Sequence, residues 1–177
     1  LALDAASGEL MWSHVYANNR NIHPNTPIYH NGYLFCFSGY GKGGIMLRIA
    51  PDGRSVEQVW ENITMDPQLG GAVLKDGRIY ASGDRNRRWF VLDWHTGNTL
   101  YESRDIDKGT IIAADGMFYV YTERGELALL KPVSTGFQVV SQARIELGSD
   151  QHWAHLVLHN GVLYVRHGNA LMAYKVK

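Results

Sequence analysis

The chain has 177 residues, 45% hydrophobic and 19% charged, a composition that supports a substantial buried core. Seventeen Lys and Arg balance seventeen Asp and Glu, so no global field steers the chain toward nucleic acid or an anionic membrane surface. No run approaches the ~18 apolar residues of a membrane-spanning helix, and a lone cysteine, Cys36, excludes an intrachain disulfide and a cysteine-rich zinc site.

In chain order, residues 1–4 and 9–12 read as two short strands around a polar turn. A marker then begins to repeat, a tight turn followed by an aromatic-rich strand. It occurs as Asn31-Gly32-Tyr-Leu-Phe, Asp76-Gly77-Arg-Ile-Tyr, Asp115-Gly116-Met-Phe-Tyr and Asn160-Gly161-Val-Leu-Tyr, with glycines 45, 39 and 45 residues apart. Asn-Gly and Asp-Gly supply the positive φ of a two-residue hairpin, so each marks a strand–turn–strand. After each glycine come an apolar residue (Leu34, Ile79, Phe118, Leu163), an aromatic (Phe35, Tyr80, Tyr119, Tyr164) and a small or β-branched residue (Cys36, Ala81, Val120, Val165). The alternation predicts strands buried on both faces.

The first strand of each unit is predicted at residues 26–29, 72–74, 110–113 and 154–158. Third strands are predicted at 44–49, 89–93, 126–130 and 170–174, and fourth strands at 56–60, 99–102 and 137–141. Gly39-Tyr-Gly-Lys-Gly-Gly44 reads as a hairpin loop, because no strand–loop–helix setting surrounds it. Arg85-Asn86-Arg87-Arg88 reads as a polar loop, and Asn62-Ile-Thr64 fits a glycosylation sequon. Four antiparallel strands every 40 to 45 residues describe the blade of a β-propeller. A β-sandwich gives no reason for one aromatic column in all four units. The expectation is an all-β partial ring of about four blades, residues 1–177 forming one segment. Residues 1–13 read as the tail of a preceding blade, and the segment as the C-terminal half of a seven- or eight-bladed ring.

A second motif links the units. Ala2-Leu-Asp4-Ala-Ala-Ser7-Gly8-Glu-Leu-Met-Trp12 resembles the docking motif of the pyrroloquinoline-quinone-type (PQQ-like, quinoprotein) propellers, Ala-x-Asp-x-x-Thr-Gly-x-x-x-Trp. Asp93, Thr96 and Gly97 repeat it, with Val91 and Tyr101 in place of Ala and Trp. Weaker copies keep Asp52-Gly53 with a displaced Trp60, and Thr135-Gly136 with Val140 as terminal residue. The resemblance implies that Asp4, Gly8, Trp12, Trp60, Asp93, Gly97 and Tyr101 dock neighbouring blades. Trp12, Trp60 and Tyr101 are accordingly expected to be largely buried.

That superfamily includes quinone dehydrogenases and the periplasmic assembly lipoprotein of the outer-membrane β-barrel machinery. A dehydrogenase site, by the resemblance, needs Ca²⁺ held by carboxylate and amide oxygens, a catalytic Asp, a stacking Trp and often two adjacent cysteines. The chain has no Cys-Cys pair and no Asp/Asn/Glu cluster at ligand spacing. No catalytic residue, metal or cofactor is assigned on the sequence.

Nine residues before each turn glycine stand His23, Gln68, Asp107 and His152. With Trp153 and His155 they form the candidate rim of the channel mouth, a polar edge suited to a small polar ligand, a glycan or a peptide. Zinc on His23, His152 and His155 is disfavoured, because i and i+3 on a strand face opposite ways. The expected function is a non-enzymatic binding or scaffolding propeller. A quinoprotein oxidoreductase and a structural module of a larger secreted enzyme are the alternatives. A periplasmic, secreted or cell-surface location follows from the resemblance.

Overall fold

The computed structural model describes residues 1–176, and among them there is no helix. A two-stranded sheet, β1 (Ala2–Leu3) and β2 (Leu10–Trp12), comes first. Three four-stranded antiparallel meanders follow. Blade one is β3 (Ile28–His30), β4 (Tyr33–Ser38), β5 (Gly43–Ile49) and β6 (Val56–Asn62). Blade two is β7 (Val73–Lys75), β8 (Arg78–Ser82), β9 (Trp89–Asp93) and β10 (Thr99–Ser103). Blade three is β11 (Gly109–Ala114), β12 (Met117–Thr122), β13 (Glu126–Val133) and β14 (Gly136–Arg144). The fourth unit has three strands, β15 (Val157–His159), β16 (Val162–His167) and β17 (Ala170–Lys175). Every strand pairs with its sequence neighbour, as the hairpin markers require.

The four markers adopt one geometry. Asn31, Asp76, Asp115 and Asn160 have φ of 49°, 50°, 49° and 48°, each followed by a glycine at positive φ. Two consecutive left-handed residues make the turn whose twist matches a hairpin.

The columns set the packing between blades. Phe35 on β4 faces the next blade and joins Ile79, Ala81, Phe90, Leu92 and Trp94 in one buried cluster. Tyr80 on β8 does the same one step on, meeting Phe118 with ring centroids 4.6 Å apart, beside Val120, Ala128 and Leu130. A third cluster joins Tyr119 and Tyr121 to Leu163, Val165 and Met172. The aromatic column of one sheet thus packs on the apolar and small columns of the next.

Each outer strand carries a bulge at a matching place. Trp12 pairs with Ala2, Trp60 with Met46, Tyr101 with Val91 and Ser141 with Leu129, and in each case the ladder slips one residue earlier. The extra residues are Met11, Val59, Leu100 and Val140. A bulge twists the strand and re-aims the residue that follows. The sequence expectation of Val140 as the docking residue of the third copy is therefore corrected: Val140 is the bulge, and Ser141 holds the docking position.

Trp12, Trp60 and Tyr101 are half-buried, not enclosed. Each stands on the outermost strand of its sheet. Trp60 covers Gly97 of the next blade, donating its indole N–H to the Trp94 carbonyl at 3.1 Å, and Tyr101 covers Gly136. At the first junction it is Met11 Cε that lies 3.5 Å from where a Cβ on Gly53 would stand. Asn62 does not present a free amide to a glycosylating enzyme. Its nitrogen donates to Gly97 O at 2.8 Å while its oxygen accepts from Thr64, so the triplet clips blade one to blade two.

Candidate functional site

The docking turns show how local chemistry repeats. Asp4 Oδ1 accepts from Ala6 N, Ser7 N and Ser7 Oγ, and Asp93 Oδ1 accepts from His95 N, Thr96 N and Thr96 Oγ1. The Ser7 and Ala6 hydrogen bonds hold the Asp4 carboxyl below the usual aspartate value. Burial pulls Asp93 upward, but the bonds from Thr96 and His95 together outweigh it and leave Asp93 low as well. Asp4 and Asp93 thus shape their own turns.

The loops leading into the first strands of blades two to four enclose a polar recess. Gln68, Lys108, Thr110, Glu123, His152 and Trp153 line it, together with Ser82 and Asp84. Three of the sequence-derived rim residues, Gln68, His152 and Trp153, are brought together there. Gln68 Nε2 donates to Tyr40 OH at 2.8 Å. Trp153 is 51% exposed, an indole left largely open to solvent.

His152 is clamped from two sides. The Tyr121 hydroxyl lies within hydrogen-bond reach of its Nδ1, and its ring stacks on His167 with centroids 3.6 Å apart. Burial pushes the Tyr121 phenol up to about 12, so it stays protonated. Burial, with His167 and Arg144 nearby, lowers the His152 pKa and favours the neutral ring. His167 is itself buried, with Nδ1 at 2.8 Å from Leu147 O and Nε2 at 2.9 Å from Asp150 O. It ties down the loop that carries His152 and Trp153.

The remaining rim residues lie apart from the recess. Asp107 turns to another face, where it pairs with Arg87 at 2.5 Å and Arg124 at 2.9 Å. His23 is exposed, its ring 5.4 Å from that of Tyr16. His155 lies near Gly71, 3.8 Å from where a Cβ there would stand. For Asp107 the offset from the strand explains the difference. His23, Gln68 and His152 stand five residues before β3, β7 and β15, whereas Asp107 stands two before β11. Blade three enters its first strand early, and the residue beside Asp107 takes the recess instead.

That residue is Lys108, 8% exposed, with Nζ 2.6 Å from Asp84 Oδ1 and 3.1 Å from Glu123 Oε1. Burial works against its charge, yet the hydrogen bonds to Asp84 and Glu123 outweigh it and hold Lys108 above the ordinary lysine range. Sequence reasoning did not place Lys108 on the rim, and it missed Asp84 and Glu123. No local motif joins residues from two blades; only the register of β8, β11 and β12 does.

No family model and no curated protein sequence matches the chain. Solved structures do. BamB from Moraxella catarrhalis superposes with a TM-score of 0.72 at 17% identity, over 97% of this chain and 49% of that one. The fold is a β-propeller arc like that of BamB. The arc spans about half the length of BamB. A europium-containing methanol dehydrogenase matches with a TM-score of 0.57 and 12% identity over 79% of this chain and 27% of its own. A computationally designed protein, Ika8, gives 0.59 at 9% identity over 86% and 45%. Identities this low speak to architecture alone.

The donor set of the arc does not fit the Ca²⁺-quinone centre of the dehydrogenases. Asp84 and Glu123 converge on an ammonium, which already engages both. Among the described residues no group of three or more His, Cys, Asp or Glu is placed to hold a metal ion. No helix among them is long and apolar enough to cross a membrane.

Proposed function

We propose that the arc is a non-enzymatic binding or scaffolding propeller, whose working surface is the rim built on Gln68, His152 and Trp153. The observation that carries the reading is Trp153: a large, half-exposed indole at the edge of a polar recess, on a loop fixed from below by His167. Aromatic anchors on rigid supports are how proteins hold peptides, partner loops and small polar ligands. His23 and His155 are peripheral contacts of the rim in this reading, and Asp107 lies off it. The carboxylates beside the recess are committed to Lys108, Arg87 and Arg124, and none stands ready as a base or a metal ligand.

The likeness to BamB supports a scaffolding role and a periplasmic or cell-surface location over a catalytic one. The weaker likeness to a methanol dehydrogenase supports the oxidoreductase alternative less. The arc is read as part of a larger ring of seven or eight blades, in keeping with its covering about half of BamB.

The test uses full-length protein purified from its native host. Its absorption spectrum and metal content are expected to show no quinone chromophore and no stoichiometric Ca²⁺. A peptide and glycan panel should then show binding that the His152→Ala, Trp153→Ala double variant loses. A quinone with dye-linked alcohol oxidation would replace this reading with the enzymatic one.

A further inference from the structure

The recess beside Trp153 has room for little more than one water-sized group, so only a slender polar tip can enter it. Thr110 lines it, is 2% exposed, and its Oγ1 has no hydrogen-bond partner. A buried hydroxyl without a partner is unfavourable, and such atoms are few in native proteins. Lys108 Nζ spends two of its three protons on Asp84 and Glu123, which leaves one donor. The charged groups that line the recess are Lys108 against Asp84 and Glu123, so the recess is on balance acidic.

A neutral group that both donates and accepts fits these partners. An ammonium cannot accept the remaining Lys108 proton, and a carboxylate would face Asp84 and Glu123. A hydroxyl does both. Trp153 adds an apolar face at the mouth, complementary to the C–H face of a sugar ring whose hydroxyl points inward. We propose that this recess is a saccharide subsite, taking one ring hydroxyl between Thr110 and Lys108 while the ring lies on Trp153. The proposal rests on the rim being a binding face and names the ligand class it takes.

The test titrates maltotriose and chitotriose into the full-length protein, with an extended uncharged peptide as a separate arm. Binding is read from the Trp153 indole N–H resonance in wild type and Thr110→Val, and by titration calorimetry in all three proteins, because Trp153→Ala lacks that resonance. A saccharide should shift that resonance, and Trp153→Ala should weaken its affinity about tenfold. Thr110→Val keeps the side-chain shape and removes the hydroxyl; it should weaken saccharide binding about fivefold without lowering the melting temperature. If the peptide moves the resonance and neither sugar does, the saccharide assignment fails while the binding face stands. If nothing moves it, both readings fall. Sugars bound equally by wild type and both variants would place the subsite elsewhere.

Discussion

The indole of Trp60 lies so close over Gly97 of the next blade that a Cβ there would sit 2.5 Å from its Cε3 atom. Gly97 also has a φ of +70°, a conformation that costs any other residue. Gly97→Ala therefore meets two penalties, backbone strain and a displaced Trp60, and should lose about 2–4 kcal/mol of stability. Gly8 holds the same motif position at φ +75° with nothing within 4 Å of its would-be Cβ. Gly8→Ala should cost about 1 kcal/mol, the strain alone. Urea denaturation of the two variants checks the contrast; equal losses would mean that Trp60 does not bear on Gly97.

Lys108 is the cation that two carboxylates from neighbouring strands share. Lys108→Met should cost about 3–5 kcal/mol, because it leaves Asp84 and Glu123 facing each other without compensation. Adding Asp84→Asn and Glu123→Gln should restore much of the loss. The raised pKa of Lys108 stabilises the fold fully below the unfolded lysine value of ~10.4, and this contribution disappears as pH rises through the higher folded value. Chemical denaturation between pH 9 and 12, extremes chosen to be roughly either side of that value, should show a shallower alkaline decline in Lys108→Met.

His167 holds its loop through two carbonyls. His167→Ala should lose about 2–4 kcal/mol. Hydrogen exchange offers the sharper readout, with faster exchange expected in residues 147–153 and little change in blade one. Uniform deprotection across the chain would show that His167 serves the core and not the loop.

Asp93 sits low because its turn hydrogen-bonds the charged form. Its contribution is present above the ordinary carboxylate value of ~3.9 and is lost as pH falls through the lower folded value. Asp93→Ala should be less stable at neutral pH by about 1 kcal/mol. It should also lose part of the decline seen in wild type below pH ~4. A carboxyl titration by NMR would locate the midpoint directly.

What the sequence makes legible here is what local chemistry decides. Asn31-Gly32 and its three counterparts specify a turn through two adjacent residues, and the period-2 columns specify which faces are buried. The docking turns at Asp4 and Asp93 are equally local. The bulge at Val140 is not: it is a slip between two strands, visible only when β13 is laid beside β14. The rim shows the same limit. Counting back nine residues assumes equal entry loops, and the short approach to β11 swings Asp107 out and Lys108 in. His167 escaped for a third reason. It occupies the end of a second strand where blade one has Ser38, whose hydroxyl donates to Ile22 O at 3.0 Å. A serine and a histidine do not look like equivalents until both are seen holding a loop carbonyl.

The stacking of Trp60 on Gly97 and Tyr101 on Gly136 couples each sheet to the one that follows it and to nothing beyond. Such a chain behaves as a one-dimensional array, its stability a sum of unit and junction contributions. Damage at one junction should stay there. A propeller arranged this way can gain or lose blades by duplication at little cost to those already present, because each new joint asks only for a bulge, an aromatic and a glycine.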